Sequence, residues 1–570
     1  MVRRLRSPYA GAVDYAELAA AVPTLSPYLR RSGDDYATID FQDEPAVRAL
    51  NSALLKRHYN IEIELPSNRL CPSVPGRLDY VIYCLELVRR TRRQGTIDAA
   101  QPPVTGLDIG TGASAIYPLL AVRYAASPAA RDVGRVRMLA TDIDAESLQY
   151  ARDNVARNKE DDSMSIHQVE PGGPIFPSAV TESATSIDFT MCNPPFYSSA
   201  EEIASSQAGK ERLPFAACTG AENEMITPGG EVAFVARMID ESLHLGVSKI
   251  RWFTSLLGKY SSIAPLIERL EKEKISNYHV SALPRHGRTI RWVLCWSLQD
   301  SRVPPFLVEK TLTADRSAPA AASLPLPSFP LARFLSPSVA PLRFAPPSFE
   351  RPDDISELKI MLEAALEELA PPGPDSSAER SLVWSIAEPD SEEEEEAAPA
   401  DARHKSIATV ITAWKNVWSR QARRAAKIAP PAAAGERSGS GPSDPRAPHR
   451  NTADETAAAA PTRTAAPLLE LRIEIERASP DPSSAPSTAQ ASDSRSRLAG
   501  WWIRGEERDR PAVEGLWGFL TRRVGDECRR RRGPGAPGPS KGDAGAGEGT
   551  EADGDAGVGG TSRRKRRKVA

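Results

Sequence analysis

Two spacings of apolar residues divide the first 300 positions of this chain. Tyr36–Phe41 (YATIDF) alternates apolar and polar side chains, the period of a half-buried strand. Asp43 then caps the run EPAVRALNSALLKRHYN, with Pro45 in the first turn and Ala46, Leu50 and Leu54 at helical spacing. Ile61–Leu65 (IEIEL) alternates again and predicts another strand, and Arg77–Val88 (RLDYVIYCLELV) reads as a buried helix. From Thr105 the pattern becomes β-α-β. Strands are expected at Leu107–Ile109, Val136–Thr141, Met164–Val169, Ser186–Cys192, Lys249–Thr254, Tyr278–Leu283 and Thr289–Ser297. Helices are expected at Ala115–Tyr124, Ala145–Asn158, Glu231–Leu245 and Ser261–Lys274. Strands alternating with helices predict a mostly parallel sheet covered on both faces, with ligands at the carboxyl ends of its strands. After residue 302 the elements thin out. Ile355–Leu369, Ile407–Ala425 and Pro511–Arg523 predict helices, and Ser381–Ala387, Leu468–Ile475 and Trp501–Arg504 predict strands. Pro371–Asp401 and Pro430–Pro467 are low-complexity insertions too poor in apolar residues to fold alone.

These shifts suggest four parts: an N-terminal module over 1–100, an α/β domain over 101–300, a small α/β domain interrupted by disordered insertions over 301–530, and a flexible basic tail over 531–570. A length of 570 residues suits that number. No apolar run approaches the roughly eighteen residues that span a bilayer, so no membrane segment is expected. MVRRLRSPYAGAVDY has basic residues but no apolar stretch behind them, which argues against secretion. The six cysteines show no C-x-x-C spacing, so neither a metal site nor a disulfide framework is expected. The net charge of −3 announces no polyanionic partner; local charge does, in Arg3, Arg4 and Arg6, in Arg89–Arg93, and in the terminal RRKRRKVA.

Three motifs fall at predicted strand ends. In LDIGTGAS (Leu107–Ser114), a glycine turn admits a ligand to the backbone and a helix N-terminus favours electronegative groups. Alone it fits a dinucleotide, an S-adenosyl group or an ordinary turn. In TDID (Thr141–Asp144), a carboxylate at a strand end suits two ribose hydroxyls, although either Asp142 or Asp144 can instead cap the helix at Ala145. In CNPPF (Cys192–Phe196), consecutive prolines stop the strand and fix the backbone, so the Asn193 amide projects rigidly. An amino group on an aromatic ring is a poor nucleophile because its lone pair is delocalised. Acceptors on both of its N–H bonds, the Asn193 side-chain oxygen and the Pro194 carbonyl, bias it toward pyramidal geometry, while Phe196 stacks on the ring.

With these motifs in order, the chain resembles the class I S-adenosylmethionine-dependent methyltransferases that modify amino groups. More narrowly, residues 1–300 resemble the methyltransferase-like 16 family of RNA adenine-N6 methyltransferases, which act on U6 snRNA. The resemblance lies in FQDEPAVRALNSALL, RLCPSVPGRLDYV, LDIGTGASAIYPLL, CNPPF, TGAENEMITPGGEVAFV and HGRTIRW. It implies a Rossmann-like class I methyltransferase sheet with an N-terminal RNA-binding module. It implies a cofactor site around Arg77, Asp108, Gly110, Thr111, Gly112, Ser114, Asp142 and Asn193, and a catalytic Asn193, Pro194, Pro195 and Phe196. The chain departs from the family in two places. Tyr197–Cys218 has only Lys210 and Arg212 as basic residues, and Gln168–Pro177 does not match, so no contact is assigned there.

RNA contacts are expected from Arg6, Arg288 and Arg291, within a wider set of Arg3, Arg4, Arg30, Arg31, Lys56, Arg57 and Arg285. Arg89–Arg93 reads instead as a helix C-terminus favoured by the dipole. SRRKRRKV reads as a nuclear import signal, implying an import receptor as partner and a nuclear location, with a nonspecific nucleic-acid arm as the other reading. The expected function is methylation of an adenosine in structured RNA, with U6 snRNA first. Ribosomal RNA, a protein glutamine amide and a noncatalytic RNA scaffold are the alternatives.

Overall fold

A computed structural model describes residues 4–32, 36–69, 71–92, 102–199, 201–202, 222–286, 290–314, 330–344, 354–369, 382–387, 407–413, 417–419, 468–477, 496–505 and 507–531. The chain opens with helix α1 (Tyr15–Ala21), a hairpin of β1 (Leu29–Ser32) and β2 (Tyr36–Ile39), then helices α2 (Glu44–Tyr59) and α3 (Val74–Thr91). Pro45 and Pro75 sit in the first turns of α2 and α3, where a missing N–H costs nothing.

A seven-stranded sheet follows. It comprises β3 (Val104–Ile109), β4 (Val136–Asp142), β5 (Met164–Gln168), β6 (Ile187–Cys192), β7 (Ile250–Leu257), β8 (Tyr278–Ala282) and β9 (Trp292–Trp296), in the order β5-β4-β3-β6-β7-β9-β8. β3, β4, β5, β6 and β7 pair in parallel, and β9 is antiparallel to both β7 and β8. The order reverses at β3, which makes the ends of β3 and β6 the switch point where ligands bind. Two apolar cores flank the sheet. On β7, Trp252 and Leu256 enter the core shared with α1–α4, while Phe253 and Leu257 enter the one shared with the helices Gly230–His244 and Ile263–Lys272. Helix α4 (Ile116–Ala125) follows β3, and α5 (Ala145–Arg157) follows β4.

Two expected elements are corrected. Ile61–Leu65 is not a strand, because no neighbouring strand reaches it. Its backbone is extended but bonded to side chains of α5. Asn158 pairs with the Glu62 N–H and C=O at 3.0 and 2.7 Å, and Asn154 pairs with those of Glu64 at 2.7 and 3.0 Å. Two asparagines one turn apart thus imitate the ladder of a strand. Second, the helix expected at Ile407–Ala425 begins instead as a strand, Ile407–Ala413 (β12); 414–416 and 420–425 lie outside the described residues. Its run of β-branched residues, IATVIT, packs better in a sheet than in a helix.

β12 belongs to a second sheet with β10 (Leu342–Phe344), β11 (Leu382–Ala387), β13 (Leu469–Arg477) and β14 (Ser496–Arg504), all antiparallel in the order β10-β14-β13-β12-β11. The helices Asp354–Glu367 and Arg510–Arg531 cover one face. β14 joins this sheet to the first unit. The Arg504 guanidinium grips both Asp300 oxygens at 3.0 and 3.1 Å, Arg302 lies 3.8 Å over the Trp502 ring, and Trp501 enters the core of α1–α4. Among the described residues no helix is long and apolar enough to cross a membrane. Pro430–Pro467 and Pro534–Thr561 lie outside the described residues, as does most of Pro371–Asp401.

Asn154 also donates to the Ala113 carbonyl at 3.0 Å, tying the glycine loop to α5. Asn154→Ala should therefore lower stability by about 1–3 kcal/mol, since it strands the buried Ala113 carbonyl and two part-buried backbone groups of Glu64. Hydrogen exchange should speed up at Glu64 while the Glu62 amide, held by Asn158, stays protected. Equal protection of Glu64 in variant and wild type would refute this.

Candidate active site

The carboxyl ends of β3, β4 and β6 open on a cavity of about 610 Å³. At the first end, Gly110 and Gly112 have φ of 72° and 62°, a region closed to most side chains. This turn lets the Gly110 and Thr111 N–H groups both donate to the Thr141 carbonyl, at 2.9 and 3.0 Å, so the loop is bolted to the end of β4. Ala115 takes φ 46° at the N-cap of α4 and offers no side-chain cap, so the helix's first amides keep their positive character.

The two acids of TDID separate by role. Asp144 caps α5, accepting from the Ser147 N–H at 3.0 Å, and pairs with buried Arg69 at 2.8 Å. Asp142 is not the cap; it lines the cavity and accepts from Gly112 N–H at 2.8 Å and Asp144 N–H at 3.0 Å. Burial raises its pKa, although the backbone donors oppose the shift. Asp108, under the loop, is fully buried and neither oxygen has a hydrogen-bond partner of good geometry. Burial pushes it up to about 7, with Thr111 and Arg77 opposing and Asp142 adding. The Thr111 hydroxyl is buried against it.

At the third end, the Tyr80 hydroxyl of α3 accepts from the Cys192 N–H at 3.2 Å and meets Thr254 Oγ1 at 2.6 Å. This fixes the last residue of β6 before Asn193. The Asn193 Oδ1 is buried with no partner. Asn193, Pro194 and Pro195 line the cavity, and Phe196 lies just beyond them with the Arg291 guanidinium 5.2 Å over its ring. Burial lowers the Arg291 pKa and the neighbouring Arg77 lowers it further. Arg77, one turn before Tyr80 on α3, donates to the Tyr117 hydroxyl at 2.5 Å.

The expected cofactor residues Arg77, Gly110, Thr111, Gly112, Ser114, Asp142 and Asn193 meet around one cavity, with Asp108 beneath it. The expected RNA residues do not share one place. Arg291 meets Phe196, Arg6 is exposed on the N-terminal segment, and Arg288 and Arg3 lie outside the described residues. Arg30, Lys56 and Arg57 pair with Asp40, Glu62 and Glu17, and Arg4 stacks on Phe306. Arg89, in the last turn of α3, is buried against Glu86 and Asp132. Sequence reasoning missed one wall of the cavity, Val169–Ile175. Glu241 accepts the Ile175 and Phe176 N–H groups at 2.6 and 3.2 Å and holds Arg237 at 2.9 Å, so the helix Gly230–His244 clamps this wall. The adjacent Gly172-Gly173 pair was the available signal for a turn against a ligand.

Sheet order, glycine turn, strand-end acid and rigid Asn-Pro-Pro-Phe together define a Rossmann-like fold of the class I methyltransferase kind. A family model described as an RNA methyltransferase matches residues 3–300, more than half of the chain, and the chain belongs to that family. A Schizosaccharomyces pombe protein named U6 small nuclear RNA (adenine-(43)-N(6))-methyltransferase is 36% identical over 276 residues, covering 48% of this chain and 66% of that one. The Homo sapiens RNA N(6)-adenosine-methyltransferase METTL16 is 33% identical over 295 residues, covering 51% of this chain and 50% of that one. The chain thus spans half to two thirds of the length of these curated relatives. The solved hMettl16 catalytic domain, in complex with a MAT2A 3′UTR hairpin, aligns with a TM-score of 0.45 and 31% identity, covering 53% of this chain and 100% of that chain.

Because the folded-state pKa of Asp108 lies above its ordinary 3.8, the folded protein keeps a proton that the unfolded chain has released. Stability from this group is therefore present at low pH and is lost as pH rises from about 4 to about 7. Asp108→Asn should flatten that fall, read as melting temperature across the window. An unchanged slope would show that Asp108 is ionised in the fold.

Proposed function

We propose that this chain is an RNA adenine-N6 methyltransferase that draws its methyl group from S-adenosylmethionine and acts on structured RNA with an accessible adenosine, U6 snRNA foremost. The observation that carries the reading is Asn193: a rigidly held amide oxygen, buried and unpaired, at the wall shared by the strand-end acids and the Phe196–Arg291 stack. A buried acceptor without a donor costs about 1–3 kcal/mol, and it is accounted for by a ligand N–H. The relatives' names for adenine-N6 transfer support the base.

The residues fit the cofactor. A cavity of about 610 Å³ lies within the range for a small-molecule site. Asp142, at the end of β4, would take the ribose hydroxyls; Asp108, Thr111 and Arg77 would face the polar amino-acid end, where the buried Asp108 carboxyl has acceptor capacity left for donors. When bound, the cofactor supplies an electrophilic methyl carbon on a sulfonium.

The chain's own part is orientation. The Asn193 Oδ1 and the Pro194 carbonyl accept the two N–H bonds of the adenine amino group, which turns its lone pair toward the methyl carbon. Phe196 stacks on the base, and Arg291 offers a second flat surface of the kind that holds unstacked bases. The target adenosine must leave its own stack to reach this depth. No strong base is needed before transfer, because the nitrogen sheds its proton only after gaining the methyl group.

Asn193→Ala should keep the fold and cofactor affinity while cutting kcat by about a hundredfold or more. Methylation of a U6 stem–loop RNA, followed by nucleoside analysis, checks this. A wild-type rate in the variant removes Asn193 from the adenine site.

We also assign the protein to the nucleus, through an import receptor that reads SRRKRRKV, a segment outside the described residues. Deleting Arg563–Lys568 should relocate the protein without changing turnover on a short RNA. If it acts instead as a nonspecific arm, nuclear location persists and the salt dependence of RNA binding becomes shallower.

A further inference from the structure

We propose that Gly258 and Glu231 are positioning residues that set the plane of the Phe196 ring, and through it the plane of the target base; this rests on the adenine reading of the Asn193–Phe196 site. Glu231 opens the helix Gly230–His244 and is 1% exposed. Among the described residues no cation forms an ion pair with its carboxylate, although Arg291 feels its charge. The carboxylate accepts instead from the Gly258 N–H at 2.7 Å, the Lys259 N–H at 2.9 Å and the Ser262 hydroxyl at 2.5 Å. Three short bonds to one buried carboxylate fix the turn that leaves β7, because charge-assisted bonds are the strong ones.

That turn is pressed against the catalytic motif. A Cβ on Gly258 would lie 2.6 and 2.9 Å from Cδ1 and Cε1 of Phe196, closer than carbon atoms pack. The next residue, Lys259, donates from Nζ to the Phe196 carbonyl at 2.9 Å and pairs with Glu202 at 2.5 Å. Phe196 is thus held at its backbone by Lys259 and at its ring by the bare Gly258 backbone, with Arg291 over the ring. Gly258 does not sit in the left-handed region, so its lack of a side chain answers the Phe196 contact and no backbone strain. A ring fixed on this side leaves one orientation for a base stacked on it. Orientation is what the Asn193 oxygen needs to meet the amino group in line with the methyl carbon.

Gly258→Ala is the direct test, because the backbone tolerates alanine while the ring must move. The expected result is a kcat lower by about ten- to a hundredfold, with S-adenosylmethionine affinity unchanged by calorimetry. RNA carrying 2-aminopurine at the target position should lose part of the fluorescence quenching that stacking on Phe196 produces. In a Phe196→Leu background, Gly258→Ala should cost little more, because the two act through one ring. Wild-type kcat and quenching in Gly258→Ala, or full additivity with Phe196→Leu, would overturn the proposal. Should Gly258→Ala fail to fold, Glu231→Gln keeps the volume and one acceptor oxygen; a lower kcat at unchanged cofactor affinity supports the cradle, and an unchanged kcat overturns it. Failure of the adenine reading itself would show separately, as absence of methyladenosine in RNA treated with the wild-type protein.

Discussion

The site depends on polar groups kept buried. Asp108 and the Thr111 hydroxyl face each other, and the Asn193 oxygen has no hydrogen-bond partner among the described residues, all at the ends of neighbouring parallel strands. A chain relaxing freely would satisfy such groups by turning a side chain or admitting a neighbour, since each costs about 1–3 kcal/mol. It does not relax, because every element around them is committed elsewhere. The Thr141 carbonyl is occupied by two loop amides, the end of β6 is held by Tyr80, and Asp142 is fixed by the Gly112 and Asp144 amides. The cost of burying these polar groups is offset by two apolar cores that cover the sheet on both faces.

Helix α3 links the N-terminal segment to this arrangement. Arg77 and Tyr80 lie one turn apart and reach Tyr117 of α4 and the end of β6 respectively, so one helix face addresses both the helix after β3 and the end of β6. Asp79, between them in sequence, bonds His286 at 2.5 Å, on the segment that leads to Arg291. Contacts to the cofactor cavity and to His286 are thereby made from one helix.

The parallel sheet was legible because its strands are bounded by motifs with local chemistry: glycines after β3, an acid after β4, prolines after β6. The motif alone left either Asp142 or Asp144 as the cap; the resemblance put Asp142 at the cofactor, and the register of α5 decides which amide each one meets. Ile61–Leu65 misled because alternation reports an extended backbone, and it does not report what bonds it; asparagines of α5 did that. Ile407–Ala413 misled because an apolar run beside a later basic stretch imitates an amphipathic helix until its β-branched residues are counted. The Val169–Ile175 wall had no motif of its own, as its place depends on Glu241 and Arg237, some 70 residues on in the chain. The Gly258 contact with Phe196 was invisible for a related reason: a single glycine after a strand says nothing of which ring it meets.

The second sheet has an unusual economy. β11 to β14 form a simple antiparallel meander, yet the segments between them are 388–406, 414–468 and 478–495 rather than tight hairpins. Joining strand ends through such lengths costs configurational entropy that grows only logarithmically, about 0.6 kcal/mol for each doubling. Strand register here is supported by side chains packed under the two covering helices, with Leu471, Ile473 and Ile475 in that core from β13. The connections are therefore free to drift in length and composition while the sheet stays the same. Over evolutionary time, this part of the chain can change size greatly without moving β14 from the place where it meets Asp300.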